Sequence, residues 1–202
     1  MNDNKDWVGD FRSIYRTIGA SNHANDTRQP HDFYATEPKA VELLLQEETF
    51  AHNIWECACG QGHLSHVLEE SGYSVLSTDI VYRGYGVQNS VDFLEVDDES
   101  FFDGDIITNP PYRFALEFVQ QALRVVEPFH KVAMFLKLTF LEGKKRKDFF
   151  TLNPPKTVYV SSSRLLCAKN GNFQEFNSSA IAYAWFVWEK GYVGETVIKW
   201  IN

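Results

Sequence analysis

Asp105-Ile106-Ile107-Thr108-Asn109-Pro110-Pro111-Tyr112 is the stretch on which the reading of this chain turns. Asp105–Thr108 reads as a buried strand, and it stops at an asparagine followed by two prolines. Each proline locks its own φ and holds the preceding residue extended, so the chain leaves the strand in one fixed shape. In that shape the Asn109 side-chain oxygen and the Pro110 carbonyl can accept hydrogen bonds from a single planar amino group. Tyr112 offers a flat ring on which an aromatic base can stack. Arg113–Val126 follows, with Phe114, Leu116, Phe118, Val119, Leu123 and Val126 at helical spacing. Asn153-Pro154-Pro155 repeats the triplet without that setting and reads as a plain turn.

Upstream, Trp55-Glu56-Cys57-Ala58-Cys59-Gly60-Gln61-Gly62 closes a second strand, Asn53–Cys59, and opens a helix, His63–Glu70. Glycines at such a turn let backbone approach a ligand, and the helix N-terminus presents free N–H groups. The third glycine of a nicotinamide-dinucleotide pattern is absent, with Ser65 in its place, which weakens that reading. Asp79 ends the next strand, Tyr73–Ile80, nineteen residues after Gly60, where a carboxylate can accept from both hydroxyls of a ribose. Asp92 and Phe93 add a carboxylate and a ring near the end of a weaker strand, Ser90–Val96.

The remaining pattern alternates in the same way. Glu37–Gln46 reads as a helix entered through Thr36 and Pro38, Val132–Leu138 as a central strand and Lys144–Phe150 as a helix. Thr157–Ser161 and Ala180–Trp188 are strands, and Thr196–Trp200 follows the turn at Gly191–Gly194. Strand–helix alternation predicts an α/β fold with a mostly parallel sheet covered on both faces. Two strands in succession at the end predict an added antiparallel hairpin. A ligand belongs across the carboxyl ends of the strands. Residues 1–31 are polar and read as a flexible N-terminal arm, with Phe11–Ile18 as a short docking helix. Residues 32–202 read as a single domain.

Composition narrows the class. The chain has 202 residues, 44% hydrophobic and 15% aromatic, enough for one well-filled core and unlike a disordered chain. No apolar stretch approaches the ~18 residues of a membrane span, and the polar start is no signal peptide. Three cysteines suggest no disulfide framework, which favours a cytoplasmic protein. Cys57 and Cys59 lack partners spaced for a metal, so no metal is expected. The net charge of −8 means that any nucleic acid must be met by a local patch.

With these motifs in place, the chain resembles class I S-adenosylmethionine-dependent methyltransferases, in particular the adenine-specific DNA methyltransferases with the Asn-Pro-Pro-Tyr signature. Small phage and prophage forms look most similar in size and motif order. Asp32-Phe33-Tyr34-Ala35-Thr36 is similar to the family's N-terminal cofactor segment, and Glu56-Cys57-Ala58-Cys59-Gly60 to its Glu-Pro-Ala-Cys-Gly form. The resemblance implies a Rossmann-like, seven-stranded sheet with an antiparallel C-terminal strand and helices on both faces. It also implies transfer of a methyl group from S-adenosylmethionine to the 6-amino group of an adenine flipped out of duplex DNA, in a bacterial or phage-infected cell. Carried over, Glu56, Gly60 and Gly62 would line the methionine end of the cofactor, Asp79 its ribose, and Asp92 with Phe93 its adenine. Phe33, Tyr34 and Thr36 would close over it, while Asn109, Pro110, Pro111 and Tyr112 would hold the substrate base. With sixty residues after Glu142, much of that remainder needed to finish the sheet, no separate target-recognition domain is expected.

For an acidic protein the DNA contact is expected at Lys144-Lys145-Arg146-Lys147, with Arg113 and Lys137 on the same strand-end side. Related methyltransferases acting on RNA or on a protein glutamine amide share the signature but usually carry a further module. A catalytically silent nucleic-acid-binding protein of the same fold is the alternative from another class.

Overall fold

A computed structural model describes residues 34–97, 101–163, 165, 167–169 and 181–202. The arm, the Phe11–Ile18 helix, Phe33 and Ala180 lie outside the described residues. A seven-stranded sheet forms the centre, in the order β3-β2-β4-β5-β8-β6-β9. In chain order its members are β2 (Asn53–Glu56), β3 (Ser74–Ser77), β4 (Asp105–Thr108), β5 (Lys131–Lys137), β6 (Thr157–Ser161), β8 (Tyr183–Glu189) and β9 (Val197–Ile201). A separate ribbon pairs β1 (Tyr34–Thr36) with β7 (Cys167–Lys169), antiparallel. The fold is the Rossmann-like α/β arrangement expected.

Helices cover both faces. The first, α1 (Pro38–Glu47), has proline in its first turn and buries Ala40, Val41, Leu43 and Leu44. With α2 (His63–Glu70) it packs on the face carrying Ile107, Phe135 and Trp185. The opposite face, with Ile106, Met134 and Phe186, is covered by α3 (Ala115–Val125), and Phe149 and Phe150 of α4 (Lys144–Leu152) pack there too. Successive residues of β4 and β5 thus serve opposite layers, as the pleat requires.

Two expectations are corrected. The last two strands form no hairpin: β8 inserts antiparallel between β5 and β6, and β9 lies outside β6 and parallel to it. The reason is burial. Tyr183 through Trp188 are all buried and need neighbours on every side, whereas Val197, Ile198 and Trp200 of β9 remain exposed. Nor is Ser90–Val96 a strand. Phe93–Glu95 makes a short 3-10 turn, begun by the Leu94 N–H donating to Asp92 Oδ1 at 3.0 Å. Phe93 is drawn inward against Trp55 and Phe118, with centroids 5.2 and 5.3 Å away. The end of β3 and the segment just past it are instead met by single bonds from the returning loop, Val87 N–H to Ser77 O and Val91 N–H to Asp79 O, both 2.9 Å.

Candidate active site

β2, β3, β4 and β5 run parallel, so Glu56, Ser77, Thr108 and Lys137 come out at one end of the sheet. The turn after β2 and the acid after β3 are joined there: the Gly60 N–H donates to Asp79 Oδ2 at 2.8 Å. Asp79 Oδ1 accepts from the Val81 N–H and from Arg83 Nη1, each at 2.8 Å. The carboxylate is therefore held in one orientation by three donors, and its side chain is 11% exposed.

Glu56 is sealed. Its side chain accepts from Ser65 Oγ, which itself lies 2.7 Å from Ser77 Oγ. Burial pushes its carboxyl up to about 8, against the lowering effect of the Ser65 hydrogen bonds, and nearby Asp79 and Glu69 add to the rise. Gly62, at φ 82°, has its bare face covered by the Tyr85 ring, so a methyl group there would overlap that ring. Tyr85 donates from its hydroxyl to Glu69 Oε1 at 2.9 Å. Glycine at 62 thus lets the Tyr85 loop pack against α2. Both thiols of the turn stay protonated. Burial raises Cys59 to about 12 and Cys57 well above its ordinary value. Among the described residues no group of three or more His, Cys, Asp or Glu is placed to hold a metal.

After β4, Asn109 Nδ2 donates to Thr36 Oγ1 at 3.0 Å, across 73 residues of chain. That bond ties the amide nitrogen to β1, and the amide oxygen is buried. Pro110 is buried, and Pro111 leads into the 3-10 turn Tyr112–Phe114. The Tyr112 ring lies 5.8 Å from that of Tyr183, which stacks on Phe135 at 5.3 Å. Lys137 Nζ stands over the Tyr112 ring, 5.0 Å from its centroid.

The expected residues therefore divide. Gly60, Asp79, Asn109, Pro110, Pro111 and Tyr112 gather at one end of the sheet, with Thr36 bonded to Asn109. Asp92 caps its turn, and the Phe93 ring expected to cover a cofactor adenine is spent on the core at 2% exposure. Phe33 lies outside the described residues, and of Tyr34 only the backbone pairing with Lys169 is described. Arg113 stacks its guanidinium over Phe114 at 4.4 Å. In the cationic run, Lys144, Lys145 and Lys147 are exposed. Arg146 turns inward to donate to the Thr139 and Glu142 carbonyls, with its guanidinium over the Phe140 ring. Sequence reasoning missed Tyr85, Arg83 and Tyr183. Two glycines flanking Tyr85 and an arginine four residues past Asp79 were the available signals.

No family model and no curated protein matches this chain. Solved structures do match, and the likeness is one of fold. A candidate RNA methyltransferase from Pyrococcus horikoshii superposes at TM-score 0.55 and 15% identity, covering 89% of this chain and 98% of that one. The modification subunit of a candidate type I restriction enzyme from Vibrio vulnificus gives 0.56 and 14%, covering 96% of this chain. A candidate class I S-adenosylmethionine-dependent methyltransferase from Listeria monocytogenes gives 0.53 and 14%, covering 81%. This chain spans 62% of the Listeria protein and 52% of the Vibrio subunit.

Proposed function

We propose that this protein is an S-adenosylmethionine-dependent methyltransferase that modifies the exocyclic 6-amino group of adenine in DNA. The observation that carries the reading is the Asn109 amide, held by Thr36 at the carboxyl end of β4, directly before Pro110, Pro111 and the Tyr112 turn. The residues fit the cofactor in part. Asp79, already bonded to the glycine turn, is an acceptor set suited to a ribose diol, with Asp92 a second acceptor nearby in the chain. Glu56 and Phe93 offer no open surface, so their part would be support of the turn and the wall.

When bound, the cofactor supplies an electrophilic methyl carbon, and the protein's task is to present a nucleophile to it. Adenine's exocyclic nitrogen is a poor one because its lone pair is shared with the ring. Asn109 Oδ1 and the Pro110 carbonyl, accepting its two N–H bonds, raise electron density on that nitrogen. They also stabilise the positive charge that develops there. Stacking on Tyr112 offsets part of the cost of taking the base out of a duplex. No strong base is needed before transfer.

The test is methyl transfer from labelled cofactor to DNA, RNA and protein in parallel, with cofactor affinity measured by calorimetry. Asn109→Ala should lose most turnover onto DNA and keep cofactor affinity. Asp79→Ala should weaken cofactor binding by ~1.5–3 kcal/mol, the scale of hydrogen bonds to a charged group. Transfer to RNA or protein alone would overturn the DNA reading.

A further inference from the structure

We propose that Lys137 binds a phosphodiester of the substrate beside the Asn-Pro-Pro-Tyr segment, which makes that substrate a polynucleotide and excludes a protein amide. The inference rests on the methyltransferase reading and names the substrate class of the same site.

β5 is a run of five fully buried residues, Val132–Leu136, that ends on a half-buried lysine at the carboxyl end of the sheet. Lys137 pairs in register with Tyr183, and its ammonium stands over Tyr112, the ring three residues past Asn109. Among the described residues the other half-buried lysines each meet oxygen acceptors. Lys131 Nζ meets Glu48 at 2.7 Å and Lys156 Nζ meets Glu189 at 2.6 Å. Lys190 Nζ donates to the carbonyls of Arg124 and Val126. Among the described residues Lys137 has no carboxylate within ion-pair distance, in a chain carrying 27 acids. The ring face is its partner.

That placement is informative about chemistry. Positive charge builds on the amino nitrogen as the methyl group is transferred, so a bare ammonium nearby opposes the reaction. An anion brought in with the substrate neutralises the ammonium and removes the penalty. A nucleotide carries a phosphodiester on either side of its base, whereas a glutamine amide carries no anion. The exposed Lys144, Lys145 and Lys147 begin α4, which leaves the same end of the sheet, and they continue the cationic character outward.

The experiment compares the full-length wild type with Lys137→Gln and Lys137→Arg. Binding of a labelled DNA duplex is measured over a salt series, with a single-stranded RNA of the same sequence in parallel. Losing one phosphate contact should flatten the slope of log affinity against log salt by ~0.9 in Lys137→Gln on duplex DNA. Lys137→Arg should keep the wild-type slope. For transfer to DNA, Lys137→Gln should raise KM and leave kcat near wild type, the signature of a contact made equally in ground and transition states. Cofactor affinity should not change. An unchanged slope in Lys137→Gln, a loss shared by Lys137→Arg, or a parallel loss of cofactor affinity overturns the proposal. A Lys137-dependent slope on RNA but not on DNA keeps the phosphodiester contact and overturns the DNA reading instead. A wild type that binds duplex with the Lys137-dependent slope but transfers no methyl group overturns the methyltransferase reading and leaves the contact standing.

Discussion

Gly62 shows how much a single hydrogen atom can decide at the residue scale. Its φ of 82° disfavours any side chain, and the Tyr85 ring occupies the space a methyl group would need. Gly62→Ala should therefore lose ~1–2 kcal/mol to backbone strain and a further ~1–3 kcal/mol to overpacking. Adding Tyr85→Ala should recover the second share and leave the first, a coupling readable in a double-mutant cycle by denaturant unfolding. Additive losses would mean that ring and glycine do not meet. Glu56 makes a prediction about pH. Its carboxyl titrates near 8 in the folded chain and near 4.5 when unfolded, so the folded state holds the extra proton between those values. Stability from this group is complete below 4.5 and declines as pH rises towards 8. Glu56→Gln cannot ionise, so the fall in stability across that window should flatten. An unchanged profile would show that Glu56 is not the titrating group.

Elements are tied together by buried carboxylates at the other end of the sheet. Asp105 opens β4, and its Oδ2 accepts from the Ala51 N–H at 2.6 Å. Its Oδ1 accepts from the Lys131 N–H at 2.7 Å and lies 2.9 Å from His130 Nδ1. One side chain thus joins the starts of β4 and β5 to the turn before β2. Asp105→Ala would leave two half-buried backbone donors unmet, each worth up to ~1–3 kcal/mol. A total loss of ~2–6 kcal/mol in urea unfolding is expected. Glu48 plays a similar part just past α1, accepting from Lys131 Nζ and from the Tyr159 hydroxyl, each at 2.7 Å.

Charge belongs to the whole molecule. With a net charge of −8, the protein repels DNA except where cations collect. Arg146 is committed to the turn before α4, so Lys144 and Lys145 are the appropriate pair to change. Replacing both with glutamine should flatten the log-affinity against log-salt slope by ~1–2 and weaken all duplexes alike, because phosphate contacts position DNA without reading it. Selective loss on one duplex would show base contact, and an unchanged slope would show that the run is a solvated helix face.

The sequence by itself determined the parts governed by local rules. Strand–helix alternation made an α/β sheet, proline geometry made the bend after β4, and chain spacing put Gly60, Asp79 and Asn109 at strand ends. These hold because a proline's φ, a helix's period and a strand's pleat depend on neighbours in the chain. The tertiary structure decided which strands are adjacent. Tyr183–Trp188 lies between β5 and β6, where both its faces are covered, a matter of competition between distant segments. It decided also that Phe93 would fill the core and that Tyr85 would take the space beside Gly62. And it decided that Thr36, 73 residues away, would orient the Asn109 amide. Local periodicity cannot carry such information, because a side chain's partner across the fold is set by packing and hydrogen-bond satisfaction, which exist only once the chain has closed on itself.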